Sequence, residues 1–177
     1  SWHVIQNGMQ NVAVHDLVIK QEDKHLLVGT HGRSIYKADI SHLQTMTPEI
    51  TNKNLYVYEL ESLRHSEHWG NSWSSWRKPN TPGLDVVFYS AKASDFTAKI
   101  NTHDGITVSE TKMQGDKGLN ILSYDMAFSK AGKAAYIKKK KIELKEAENG
   151  KTYLPKGKFV VEIDGNDARE KMEFEIE

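Results

Sequence analysis

Cysteine is absent from this chain of 177 residues, which excludes disulfide staples, thiolate nucleophiles and thiolate metal sites. That absence leaves the compartment open, because exported proteins of bacteria often lack cysteine as well. An excess of either charge is also lacking. Lys plus Arg and Asp plus Glu number 24 each, so no global field draws the chain to nucleic acid or to an acidic membrane surface. The one basic run, Lys138 to Lys141, is followed at once by Glu143, Glu146 and Glu148, and it reads as a solvated face. No apolar stretch approaches the ~18 residues needed to cross a bilayer, and no signal-peptide pattern occurs. The phosphate-loop, dinucleotide-fold, nucleophile-elbow and H-E-x-x-H patterns are missing too. No catalytic set, no cofactor and no metal site is therefore expected, and neither nucleic acid nor membrane is expected as a partner. An opening at Ser1 without an initiator Met, and a close on the strand-like "KMEFEIE", are expected of a segment of a longer protein with any export signal upstream.

What is present is strand. With 38% hydrophobic residues, the chain can bury one solid core and a smaller appendage. "NVAVHDLVI" (11–19), "HLLVGT" (25–30) and "SIYKADI" (34–40) are short β-branched or aliphatic runs, separated by the turn-like "KQEDK" and "HGR". They predict a three-stranded meander, which cannot cover both of its faces and needs neighbours as a propeller blade does. From 47 to 80 the texture changes. "NLYVYEL" (54–60) has the composition of one more strand, but "RHSEHWGNSWSSWRKPNTPG" is rich in Trp, Ser and turn formers and reads as a connector. Beyond it, strand runs return at 84–90, 96–102, 106–113, 119–128, 158–165 and 170–177. In the last, Met172, Phe174 and Ile176 alternate with Glu173, Glu175 and Glu177. "HDG" (103–105) and "DGND" (164–167) supply hairpin turns, because Gly, Asn and Asp tolerate positive φ. About seven short strands over this length fit an Ig-like β-sandwich. Residues 133–150 admit either a short helix ended by Asn149-Gly150 or a hairpin arm, since Ile137, Ile142 and Leu144 hold no helical face.

Four groups of residues are candidates for a site. Thr30, His31, Gly32 and Arg33 place a possible base and an anion clamp together, but no carboxylate pair lies beside them in sequence, as glycoside hydrolysis normally needs. They are expected to be a structural turn, with Gly32 permitting the reversal. His65 and His68, with Glu67 between them, lack a third zinc ligand, although His103 and Asp104 are conceivable ones. Trp69, Trp73 and Trp76, spaced i, i+4, i+7, would form one aromatic stripe on a helix. Such a stripe either glues a linker to a neighbouring domain or stacks on the C–H face of a sugar ring. Asp164, Asn166 and Asp167 superficially suggest a calcium loop, yet the twelve-residue ligand pattern is incomplete, and a hairpin turn is expected there.

Several motifs then line up in order. "HDLVIKQEDKHLLVGTHGRSIYKADIS" (15–41) resembles the closing blade of the large bacterial sortilin-like or BNR-repeat β-propellers, which are often labelled glycosyl hydrolases. "WRKPNTPGLDVVFYS" (76–90), "HDGITVSETKMQGDKGLNILSYDMAF" (103–128) and "YLPKGKFVVEIDG" (153–165) resemble that family's C-terminal domain, which is akin to the Ig-like domain of flagellar hook-capping proteins. Tyr124 stands where the family usually has Trp, and Ile121 where it has Arg. The resemblance implies an all-β segment: a partial last propeller blade over 1–46, a Trp-rich connector over 47–80 and an Ig-like β-sandwich over 81–177. It also implies a non-catalytic accessory module of a larger exported protein, extracellular or periplasmic, that packs on or positions the propeller and mediates protein contacts. Its partners are then the rest of the parent propeller and, through exposed blade edges, a second copy of the chain. The alternative expectation is a carbohydrate-binding module, holding polysaccharide on Trp69, Trp73 and Trp76 for a glycoside hydrolase whose catalytic residues lie upstream.

Overall fold

The computed structural model describes residues 11–74 and 76–177, and the chain divides into two compact units, Ser1–Thr47 and Pro48–Glu177. Both are built on antiparallel β-sheet, so the fold is all-β, with a few short helices between strands. Among the described residues no helix is long and apolar enough to cross a membrane, which leaves strands out of account.

The first unit is the expected meander. Strands β1 (Val14–Lys20), β2 (His25–Thr30) and β3 (Ile35–Asp39) pair in that order, and a short helix α1 (Ser41–Gln44) follows. The register sets Leu17 opposite Val28 and Ile19 opposite Leu26, then Val28 opposite Tyr36 and Leu26 opposite Ala38. Residues that face each other across strands share a side of the sheet, so these six make one face apolar. Val28 on the central strand is buried. On β1, however, Leu17 and Ile19 remain 60% and 49% exposed.

The second unit packs two sheets around one core. After a turn of helix, α2 (Pro48–Thr51), come strands β4 (Leu55–Val57), β5 (Leu84–Ser90), β6 (Ser94–Thr102), β7 (Thr107–Gly115) and β8 (Gly118–Tyr124). Helix α3 (Lys130–Lys140) intervenes before β9 (Gly157–Gly165) and β10 (Ala168–Ile176). One sheet has the order β4-β5-β8 and the other β10-β9-β6-β7. The stretch expected as a connector thus supplies a strand, with Leu55 and Val57 almost wholly buried. Inward-pointing Val86 and Phe88 of one sheet meet Phe96, Ala98, Ile100, Val161 and Ile163 of the other. The Phe88 and Phe96 rings stand edge to face at 5.1 Å, an arrangement that suits the ring quadrupoles. The alternation in the final strand is realised, with Phe174 and Ile176 buried. Asn166 and Asp167 both take positive φ, 52° and 56°, closing β9 onto β10 as a two-residue hairpin.

Of the two conformations open to 133–150, the first part of the stretch takes the helix, but α3 ends at Lys140, well before the expected stop at Asn149-Gly150. Ser129 caps it by accepting the Gly132 N–H at 3.0 Å, and Lys141 ends it in the left-handed conformation at φ 54°. What ties α3 down is Tyr136, buried and 5.1 Å from the Phe128 ring, together with Gly132, buried against the backbone of β7. Ile137 and Ile142 contribute little, which is why their spacing carried no helical signal.

Candidate functional site

The Thr30–Arg33 segment is a β2–β3 turn. Gly32 has φ +73°, which an L side chain adopts poorly. The His31 N–H donates to the Ala13 carbonyl at 3.0 Å, and its ring stacks on His15 at 5.1 Å. The Thr30 hydroxyl donates to the Ser34 carbonyl at 2.7 Å. Each of these contacts holds the reversal in place, and Arg33 is exposed.

The three tryptophans do not share a helix face. Residues 63–65 run beside the end of β10, with Leu63 N–H on the Glu175 carbonyl at 2.9 Å and His65 N–H on the Glu177 carbonyl at 2.8 Å. The chain then turns at Gly70, whose φ of +76° breaks any helix at that point. Trp69 enters the core at 7% exposure, between His65 at 5.0 Å and Tyr153 at 6.1 Å. Trp73 and Trp76 stay outside, 78% and 94% exposed; the His68 ring lies 5.5 Å from Trp73. The stripe expected from the spacing is therefore divided into one core residue and two surface residues.

The loop that carries the exposed pair is strapped to a second turn far along the chain. Ser72 N–H donates to a Glu148 carboxylate oxygen at 3.0 Å, and Glu148 N–H donates to Asn71 Oδ1 at 3.1 Å. Asn149 N–H bonds to the Gly70 carbonyl at 3.1 Å, and Gly70 N–H bonds to the Asn80 carbonyl at 2.7 Å. A Cβ at Gly70 would come within 2.5 Å of Tyr153 and 2.6 Å of Ala147. The chemistry of the assembly is that of flat apolar surface on a pinned loop with amides, hydroxyls, the His68 ring and the Glu148 carboxylate around it, which can stack on a ligand ring.

The remaining candidates are engaged elsewhere. His65 and His68 pack on Trp69 and Trp73. Asp104 binds Lys140 at 2.9 Å and approaches Lys139 at 3.8 Å. Among the described residues no three His, Asp or Glu side chains gather where they could hold a metal ion. Asp164 pairs with Arg169, whose Nε donates to it at 2.8 Å, and Asn166 Nδ2 donates to the Asn54 carbonyl at 2.7 Å. The hydrogen bond from Lys140, with a further one from Thr102, holds the Asp104 carboxyl well below the ordinary carboxylate range. Being lowered in the folded state, this group favours folding above its unfolded pKa and loses that contribution as pH falls. Carbon-detected NMR titration is expected to show Asp104 titrating below the ordinary 3.8. Lys140→Gln should move its midpoint up toward the ordinary 3.8; no movement would mean the pair does not persist in solution.

In comparisons with known proteins, no family model matches the chain and no curated protein matches it.

Proposed function

We propose that this chain is a non-catalytic accessory module of a larger exported propeller protein, in which the 14–39 meander is a blade element and the sheets of 48–177 form an Ig-like sandwich. The exposed apolar side chains of the meander carry this reading: Leu17 and Ile19 on one face are 60% and 49% exposed, and Val18 and Ile35 on the other are 50% and 72% exposed. A three-stranded sheet gains stability by burying such a face on a neighbour, and the adjoining blade of a propeller is a neighbour of the right shape. The motifs at 15–41 and 103–128 support the same origin. The Ig-like name draws support from the three-on-four strand order, β4-β5-β8 on β10-β9-β6-β7, with connections that cross between sheets. The test is made on the native gene product. Its intact mass should exceed the 20.1 kDa of this chain, and Leu17→Lys with Ile19→Lys should lower its Tm. A native mass of 20.1 kDa, or a Tm unmoved by the pair, overturns the reading.

A second reading, a carbohydrate-binding module serving a glycoside hydrolase, is favoured by one specific observation. Trp73 and Trp76 are exposed on a loop held at both ends, so stacking a sugar there would order little chain. Trp69 lies in the core and takes no part. Under this reading, one soluble polysaccharide of a panel shifts the Trp emission saturably. Trp73→Ala and Trp76→Ala then each weaken its binding by roughly tenfold or more, as loss of an aromatic anchor does. A flat response across the panel rejects it.

A further inference from the structure

Strand β1 lies at the edge of its sheet, and among the described residues no strand pairs with its outer side. The register fixes which backbone groups lie there. Ile40 N–H donates to the Lys24 carbonyl at 2.9 Å, so even-numbered residues of β2 bond to β3 and odd-numbered ones bond to β1. Through the pairs Val18↔Leu27 and Lys20↔His25, even-numbered residues of β1 turn their N–H and C=O toward β2. Leu17 and Ile19 therefore turn theirs outward. In accord with this, the Leu17 N–H is taken by the Asp16 carboxylate at 2.9 Å, not by β2.

The sequence around that edge is complementary to itself. Laid antiparallel against a second copy with a twofold axis at Val18, Leu17 of each copy faces Ile19 of the other in a hydrogen-bonded pair. Val18 faces Val18, and Asp16 faces Lys20. The like-sized aliphatic side chains, 49–60% exposed in the single chain, then cover one another, and opposite charges meet at both ends. Shifting the axis to Leu17 sets Asp16 against Val18 and Val14 against Lys20; shifting it to Ile19 sets Lys20 against Val18. Only the Val18 axis satisfies both charge and apolar match. We propose that this chain pairs with a second copy of itself through β1, forming a continuous six-stranded antiparallel sheet across a twofold axis at Val18. On association the Asp16 carboxylate leaves the Leu17 N–H for Lys20 of the second copy, and Lys20 turns from its own Asp23. The pairing uses the edge of the meander and not its apolar face, so it holds whether or not a propeller covers that face.

Sedimentation equilibrium of the full chain over a concentration series tests this, with circular dichroism as the check on folding. The wild type should show a monomer–dimer equilibrium. Asp16→Lys and Lys20→Asp each put like charges opposite each other twice per dimer and should raise the dissociation constant roughly tenfold. The double variant should return it to near the wild-type value. Because the chain has no cysteine, Val18→Cys gives an independent reading: mild oxidation should cross-link two copies, since directly opposed residues of this kind lie within disulfide reach. Lys37→Cys, on the other edge strand, should not. A monomer at every concentration, single variants that dimerise like wild type, a double variant that fails to recover, or equal cross-linking at 18 and 37 overturns the proposal.

Discussion

Gly132→Ala is expected to destabilise the 48–177 unit by about 3 kcal/mol, the upper end of what overpacking usually does. The sign is opposite to the general rule, since Gly→Ala inside a helix normally gains about 1 kcal/mol. The reversal has a geometric cause. A Cβ at Gly132 would stand 1.9 Å from the Val108 carbonyl oxygen and 2.4 Å from its carbon. These are backbone atoms of a strand hydrogen-bonded in the sheet, so no side chain can rotate aside. Helix α3 must retreat from β7, and in doing so it breaks the two bonds that seat its N-terminus. These run from the Ser129 N–H, at 3.0 Å, and the Ser129 hydroxyl, at 3.2 Å, to the same Val108 carbonyl. Tyr136, buried one turn further on, is drawn out as well. Thermal unfolding should record a drop on the order of 10 °C for a domain of this size. Ala135→Gly, at an exposed position of the same helix, should lose only about 1 kcal/mol. Equal effects at the two positions would show that α3 does not press on β7.

The same residues explain what could be read in advance and what could not. The strands of the meander and of the sandwich were legible because their patterns are local: β-branched runs bounded by turn formers, and the Met172, Phe174, Ile176 alternation. The 166–167 hairpin was legible because Asn and Asp are among the few residues that accept positive φ. Helix α3 was legible only as one of two alternatives, because its anchors are a glycine and a tyrosine. Glycine reads as a helix breaker until the strand it must approach is in view. Strand β4 was legible as a strand in "NLYVYEL", but its place in the second unit's sheet was hidden for a related reason. Its partner β5 begins after the Trp-rich stretch, and Asn166, which donates to the Asn54 carbonyl beside it, lies in the last hairpin. The tryptophan spacing of four and seven makes a stripe only on a helix, and the turn at Gly70 removes that condition. The straps that decide the loop, Ser72 to Glu148 and Asn71 to Glu148, join residues more than seventy positions apart, and no local pattern announces them. Candidate sites depend on such distant contacts more than strands do.

Trp69→Ala is expected to destabilise the chain by about 3–5 kcal/mol, as removal of a buried Trp does, whereas Trp73→Ala and Trp76→Ala should each stay within about 0.5 kcal/mol of the parent. Trp69 is enclosed on one side by the His65 ring and on another by Tyr153, and it belongs to the same cluster as Leu55, Val86 and Phe88. Its loss leaves a cavity that the neighbours cannot close. His65 is held by its backbone bond to Glu177, and Tyr153 by the 2.7 Å bond that its hydroxyl accepts from Asn149. The Gly70 turn rests directly on Tyr153 and Asn149. Loosening Trp69 should therefore release the strap that positions Trp73 and Trp76 before the whole unit melts. Urea unfolding of the three variants measures the first effect, and hydrogen exchange at the Ser72 and Glu148 amides measures the second. If Trp69→Ala speeds exchange at both amides while Trp73→Ala and Trp76→Ala do not, the loop is seated through its buried tryptophan and its exposed pair is free for a ligand. Equal losses of stability at all three positions would mean that Trp73 and Trp76 are also covered in solution, and the sugar-binding reading would fall with that result.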